Sequence, residues 1–448
     1  MAARTPRLIQ QIPFGDELVI HRYRFHNGLT LLLMRDDTAP VVSFQTWFHV
    51  GSRHEKKGKT GLAHLFEHLM FNETKHLPAG QFDRLLEAAG GETNAATWVD
   101  WTYYYENVPS GQLPLVIQLE ADRMQNLVLR EPQVSSEKEV VANERRFRVD
   151  DDVEGSMNEL LYATAFTTHP YHWPTIGWMR DIQRFTTRDC EQFYRTYYAP
   201  NNATVVVVGD VDEPALLAQM QERYGGIAAA RIPRERVRKE PRQVRERRKT
   251  IRRPTPSEKV LLGYHGPAFG DPDHTVMTVL NEVLVGGRSS RLYRTLLLDR
   301  EIATEVRGSM APFSYPGLYE LWVSMREGHS ARDAVDELQQ EITRMQRDLV
   351  SEAELQKVCN RLELGVLESM ESVGGKAEQL GFYETVLGEP AGIFDRLAAF
   401  RAVRPEDVRR VARTYLKRTA RTMITALPSG DRSDDAAPSS EDLERGEA

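Results

Sequence analysis

Three runs near the start of the chain, residues 18–24, 28–35 and 41–49, are rich in β-branched, leucine and aromatic residues. Asn-Gly and Asp-Thr-Ala-Pro turn signals separate them, which predicts an antiparallel sheet. The periodicity then changes. In GLAHLFEHLMFNET (61–74) the apolar Leu62, Leu65, Phe66 and Leu69 recur at helical spacing, and His64, Glu67 and His68 share the other face. A second helix is predicted over GQFDRLLEAAGG (80–91), a long strand over TNAATWVDWTYYYENV (93–108) and a helix over LPLVIQLEADRMQNLVL (113–129). Ser136 with Glu139 reads as a capping box opening the next helix, EKEVVANERRF, in which Glu137, Val140, Val141, Glu144 and Phe147 form one stripe.

The pattern also repeats. Residues 189–204 align without gaps on 407–422 at an offset of 218, with Asp, Arg, Thr, Tyr and Thr coinciding, and a β-branched or apolar strand follows each copy. The chain therefore reads as two halves of related α+β architecture, 1–228 and 255–430. The segment 229–254 between them carries twelve basic and three acidic residues from Arg231 onward. No aromatic residue interleaves there for base stacking, so it reads as a solvated linker. From Asp431 to residue 448 the chain is acidic and nearly devoid of apolar residues, and disorder is expected.

Composition narrows the function. A net charge of −7 gives no general attraction to nucleic acid or an anionic membrane. No apolar run reaches the length of a signal peptide core or a membrane span, which reads as a cytoplasmic chain, or a periplasmic one if a signal has been removed. The two cysteines, Cys190 and Cys359, are far apart and make no metal or redox motif.

The chemistry lies in His64, Glu67 and His68. Imidazoles at i and i+4 can hold one zinc ion, and the glutamate between them reaches a metal-bound water; the order HxxEH is that of an inverted zincin. A catalytic zinc takes three protein ligands and keeps one open position, so a third ligand is needed. The carboxylates of Glu137 and Glu144 lie in an otherwise apolar stripe, where they either meet buried cations or supply that ligand.

These features together with GGETNAATWVDWTYY (90–104), HPYHWPTIG (169–177), YYAPNNATVVVVGD (197–210), GGRSSRLYRTL (286–296) and RPEDVRRVARTYL (404–416) resemble the pitrilysin and insulinase family of zinc metallopeptidases. By length the chain is similar to the two-repeat subgroup that includes the β chain of mitochondrial processing peptidase. The resemblance implies two homologous domains, each a mostly antiparallel sheet packed with helices, which form half of a clam-like chamber closed by a second chain around unfolded peptides. It implies His64, His68 and Glu144 as ligands of one Zn2+, Glu67 as general base, and Glu137 as the group that orients a ligand histidine. Asn94 and Ala95 would lie on the edge strand that receives the peptide substrate. Active members of the family carry an Arg and a Tyr in the second half, where this chain has Leu297 and Thr304. The resemblance therefore implies a heterodimer, in which a homologous subunit supplies the Arg/Tyr pair. It also leaves open a non-catalytic assembly subunit that keeps the fold.

Overall fold

The computed structural model describes residues 5–429; the acidic tail lies outside the described residues. Among the described residues twelve strands form two sheets. The first holds β1 (Arg7–Phe14), β2 (Leu18–Arg24), β3 (Thr30–Arg35), β4 (Val41–Phe48), β5 (Glu92–Thr97), β6 (Thr102–Pro109) and β7 (Ala203–Gly209), in the order β1-β2-β3-β7-β4-β6-β5. The second holds β8 (Arg247–Arg253), β9 (Lys259–His265), β10 (Ala303–Met310), β11 (Leu318–Met325) and β12 (Arg421–Pro428), in the order β10-β11-β9-β12-β8. Helices pack against both, so the fold is α+β with mostly antiparallel sheets.

The repeat has a structural counterpart. Adding 218 to the helix Thr187–Tyr197 gives the helix Pro405–Tyr415, and the strands that follow, β7 and β12, begin 218 residues apart. Strand β7 runs parallel to β3 and antiparallel to β4, while β12 runs parallel to β8 and antiparallel to β9. The five-strand order β3-β7-β4-β6-β5 therefore recurs as β8-β12-β9-β11-β10, and the β1-β2 hairpin is an addition to the first copy.

By packing, the described chain forms two units that interleave along the sequence. One takes in everything up to Asn143, then Thr175–Arg236 and Val366–Asp395; the other takes in Glu144–Pro174, Val237–Gly365 and everything from Arg396 onward. The helix Val373–Leu387 thus belongs with the first sheet. Lys376 pairs with Asp36 at 2.8 Å, and Gly381 sits against Trp47 so closely that a Cβ there would lie 2.1 Å from the indole nitrogen.

Several sequence expectations need correction. The three early runs are strands, but β7 enters between β3 and β4 because the strand after the repeat helix pairs with both. The predicted long strand over 93–108 is a hairpin. Its turn carries the buried Asp100, which pairs with Arg53, while Ser52 and Arg53 donate backbone N–H bonds to the carbonyls of Trp98 and Val99 at 3.1 and 3.0 Å. The helix expected from Ser136 starts at Glu131, with Pro132 in its first turn where a missing N–H costs nothing. Ser136 and Glu139 are then exposed positions within the helix, not a cap. The basic linker is not linker throughout, since Arg247–Arg253 forms β8 at the edge of the second sheet. Its Ile251 is buried and its charged residues blunt the edge. Cys190 and Cys359 are both free and buried. Among the described residues no helix is long and apolar enough to cross a membrane.

His49, His54, His265 and His274 are held toward the neutral form chiefly by burial, with nearby arginines acting in the same direction. His49 is pushed down to about 4, and His54 and His274 to about 3. For a base whose folded pKa is depressed, the stability is present above the unfolded value of about 6.5 and is lost as pH falls toward 4, at about 1.4 kcal/mol per histidine per pH unit. Melting of metal-free protein is expected to shift steeply downward between pH 6.5 and 5. A flat melting temperature over that range would show that these rings already protonate in the fold.

Candidate metal centre

The helix Leu62–Leu69 starts at Gly61, whose φ of 95° lies in the left-handed region open to glycine, and its side chains divide as the periodicity predicts. Leu62, Ala63, Leu65, Phe66 and Leu69 are buried. Phe66 lies among Phe193, Tyr194 and Tyr198, with ring centroids 5.0–6.2 Å away, and its carbonyl accepts a hydrogen bond from the Tyr104 hydroxyl at 2.9 Å. On the other face the rings of His64 and His68 are 5.1 Å apart at 65°. His64 is buried, and Glu67 and His68 are half-buried. Burial chiefly raises the pKa values of the Tyr103, Tyr104 and Tyr198 phenols, and the negative charge of Glu67 adds to each.

The third donor comes from the helix Glu131–Arg145. Potential ligand atoms of His64, His68 and Glu144 all lie within 4.8 Å of one another, the one group of three metal-competent side chains found among the described residues. The expected apolar stripe is rotated. Val134, Val141, Ala142 and Arg145 face inward, whereas Val140 is 45% and Phe147 79% exposed. Glu137 and Glu144 fall at the border of the buried face, half-buried. Arg145 anchors the helix end through Glu159, at 2.6 and 3.0 Å, and a π-helical turn, Arg146–Asp150, follows. Arg148 in that turn reaches back to Glu144 at 3.1 Å.

Glu137 stands beside His68, with its Oε2 3.7 Å from Nδ1, and its Oε1 accepts from the Asn72 amide at 3.0 Å. A carboxylate on that side of the ring favours the tautomer with the proton on Nδ1 and leaves Nε2 as the donor for a metal. Asn94 and Ala95 lie on β5, which pairs with β6 alone and so has a free edge among the described strands. Asn94 is exposed, and its Oδ1 accepts from the Ala95 N–H at 2.8 Å. In the second unit Leu297 and Thr304 line an open cleft of about 630 Å3 together with Tyr293 and Arg326. The Thr304 hydroxyl donates to the Ser324 carbonyl at 3.3 Å, and the exposed Arg300 pairs with the buried Glu337 at 2.9 Å.

Three groups that serve the metal-motif helix were not singled out from the sequence. Glu55 accepts N–H bonds from Gly61 and Ala63, and Asp181 accepts from the Thr60 N–H and hydroxyl at 3.0 and 2.8 Å. Gly177 faces Gly61 so closely that a Cβ on it would lie 2.3 Å from the Thr60 carbonyl oxygen. The signal available was negative: a helix opening on glycine has no cap side chain of its own and must borrow an acceptor.

The donor set of two imidazoles and one carboxylate fits Zn2+, which takes these ligands and leaves a position open for water or substrate. Residues 30–177 match the model of the insulinase family, peptidase family M16, and residues 184–362 match the model described as the peptidase M16 inactive domain. The chain is similar to the zinc protease PqqE of Helicobacter pylori, 31% identical over 90% of this chain and 91% of that protein. It is also similar to an uncharacterized zinc protease of Streptomyces coelicolor, 28% identical over 93% and 91% of the two chains. Among solved structures, a protease from Helicobacter pylori superposes with a TM-score of 0.86 at 29% identity, covering 91% of this chain and 99% of that one. The periplasmic protease PqqL of Escherichia coli, at 18% identity, shares the fold with a TM-score of 0.75 over 97% of this chain and 50% of its own. With both family models matched in order across most of its length, the chain belongs to the insulinase family, M16, as a two-domain member.

Proposed function

We propose that the protein is a zinc-dependent endopeptidase acting on oligopeptides or unfolded segments, and that it works as the metal-binding subunit of a heterodimer. The observation that carries the reading is the convergence of His64, His68 and Glu144, with Glu67 on the same helix face as the two imidazoles. Its relatives' designation as zinc proteases supports it.

His64, His68 and Glu144 would hold one zinc ion, which would supply Lewis acidity at the scissile carbonyl and lower the pKa of the attacking water. Glu67 takes the proton of that water and returns it to the leaving amine, the task of a carboxylate poised beside but outside the ligand set. Glu137 holds the His68 ring in the tautomer that leaves Nε2 as donor. The peptide lies along the free edge of β5 at Asn94 and Ala95, where backbone pairing tolerates varied side chains. Asn94 must release the Ala95 N–H for that residue to pair with substrate.

Leu297 and Thr304 supply no cation and no phenol, so a second electrophile for the carbonyl would come from a homologous partner with an Arg and a Tyr at those places. Hydrolysis of an unstructured peptide is to be measured with this chain alone and mixed with such a partner, with zinc quantified in the same samples. One zinc per chain is expected, and a rise in rate of about 10²–10³-fold on mixing, the effect of one oxyanion donor. Full activity of the single chain would overturn the heterodimer, and absence of zinc would overturn the metal reading. The unfilled Leu297 and Thr304 positions also favour a second reading, a non-catalytic assembly subunit, which predicts zinc without turnover in any mixture.

A further inference from the structure

The helix bearing His64, Glu67 and His68 has no side-chain cap, because its N-cap residue is Gly61. First-turn N–H groups have no acceptor within their own helix, and here they point into the protein. Glu55 meets them. Its Oε2 accepts from Gly61 at 2.8 Å, its Oε1 from Ala63 at 2.7 Å, and the Leu62 N–H adds to the same cradle. The carboxylate is 7% exposed and one of its bonds ends on the residue immediately before His64. From the opposite side Thr60 is tied to Asp181, and Gly61 is pressed against the Ile176 carbonyl, where an added Cβ would come within 2.5 Å.

We propose that Glu55 is a positioning residue: as a remote cap it sets the seat of the Leu62–Leu69 helix, and so the direction in which His64, His68 and Glu67 present their atoms. The proposal rests on the zinc reading above. Both carboxylate oxygens accept, so a carboxamide of the same shape turns an NH2 group toward a backbone N–H, donor against donor. The first turn must then move, and a shift of a fraction of an ångström is enough to spoil a three-donor site.

Zinc affinity, measured by chelator competition on folded material isolated by size exclusion, is expected to fall about 10–100-fold in Glu55→Gln, as for other residues that orient metal ligands. Peptide turnover by the heterodimer is expected to lose kcat with KM nearly unchanged. Glu55→Asp keeps two acceptors and is expected to recover part of the affinity; it also provides the test if the Gln variant does not fold. Glu240→Gln is the control. Glu240 cradles the N–H groups of Thr167, Thr168 and His169 at 2.8–2.9 Å in the second unit, so its loss lowers stability without changing zinc affinity. If both Glu55 variants bind zinc like the wild type, or if Glu240→Gln loses zinc equally, Glu55 has no positioning role and the zinc reading stands. A wild-type chain that binds no zinc overturns both.

Discussion

Glu67→Gln is expected to lower peptide hydrolysis by about 10²–10⁴-fold, the range for loss of a general base, while leaving zinc content unchanged. The amide matches the carboxylate in shape but cannot take a proton at neutral pH. The three donors that converge are His64, His68 and Glu144, and Glu67 is not among them. It lies one residue before His68, half-buried on the ligand face, and the tyrosines around it are neutral phenols raised above their usual pKa range by burial. No other carboxylate on this helix can take over the role, since Glu67 is its one acidic residue. Rates of peptide hydrolysis and metal analysis on the same preparation give the test. A variant that cleaves at the wild-type rate removes Glu67 from the mechanism, and one that loses zinc would make it a ligand.

Arg123→Met is expected to destabilise the protein by about 3–5 kcal/mol, the cost of stranding buried charge. Arg123 is 1% exposed and lies between two buried carboxylates, pairing with Glu106 at 2.9 Å and with Glu120. Its guanidinium covers the rings of Tyr104 and Phe82 at 4.4 and 4.6 Å. Thr46 donates to Glu120 at 2.7 Å. Burial and the neighbouring Glu120 charge hold the Glu106 carboxyl well above its usual range, with Arg123 the main opposing pull toward the ionised form. Methionine preserves much of the stem's packing but leaves the two acids facing each other. Adding Glu106→Gln to Arg123→Met is expected to recover part of the loss by removing one of the two facing acids. Urea denaturation at pH 7.5 measures both. A cost under 1 kcal/mol for the single variant would mean that the carboxyls share a proton and the arginine is dispensable. The Tyr104 ring beneath Arg123 also donates its hydroxyl to the Phe66 carbonyl of the metal-motif helix.

Much of the site was legible because its parts are periodic. Two imidazoles and a carboxylate at i, i+4 and i+3 share a helix face whatever surrounds them, and the buried Leu62, Leu65, Phe66 and Leu69 follow the same rule. The helix after it was harder to read. Val140 and Phe147 are apolar yet exposed, so a stripe drawn through them and the buried Val141 runs beside the face that packs, because a buried Arg145 paired with Glu159 counts as interior. Composition reads arginine as surface, and only its partner reverses that. The cap at Glu55 was hidden for a related reason: its bonds go to backbone groups, which every residue possesses and no sequence pattern marks.

The sequence by itself determined the periodic elements, the internal repeat, the metal-competent helix face and the family. Those depend on local spacing and on residue identities carried along the chain. Tertiary structure alone decided which strands are neighbours, with β7 entering between β3 and β4, and that Val366–Asp395 packs with the first sheet rather than with the half in which it is encoded. It alone brought Glu144 to within 4.8 Å of two histidines more than seventy residues earlier and set Glu55 beneath their helix. Backbone hydrogen bonds and buried charge pairs are satisfied by whatever the fold brings near, and that nearness is not written in the spacing of residues along the chain.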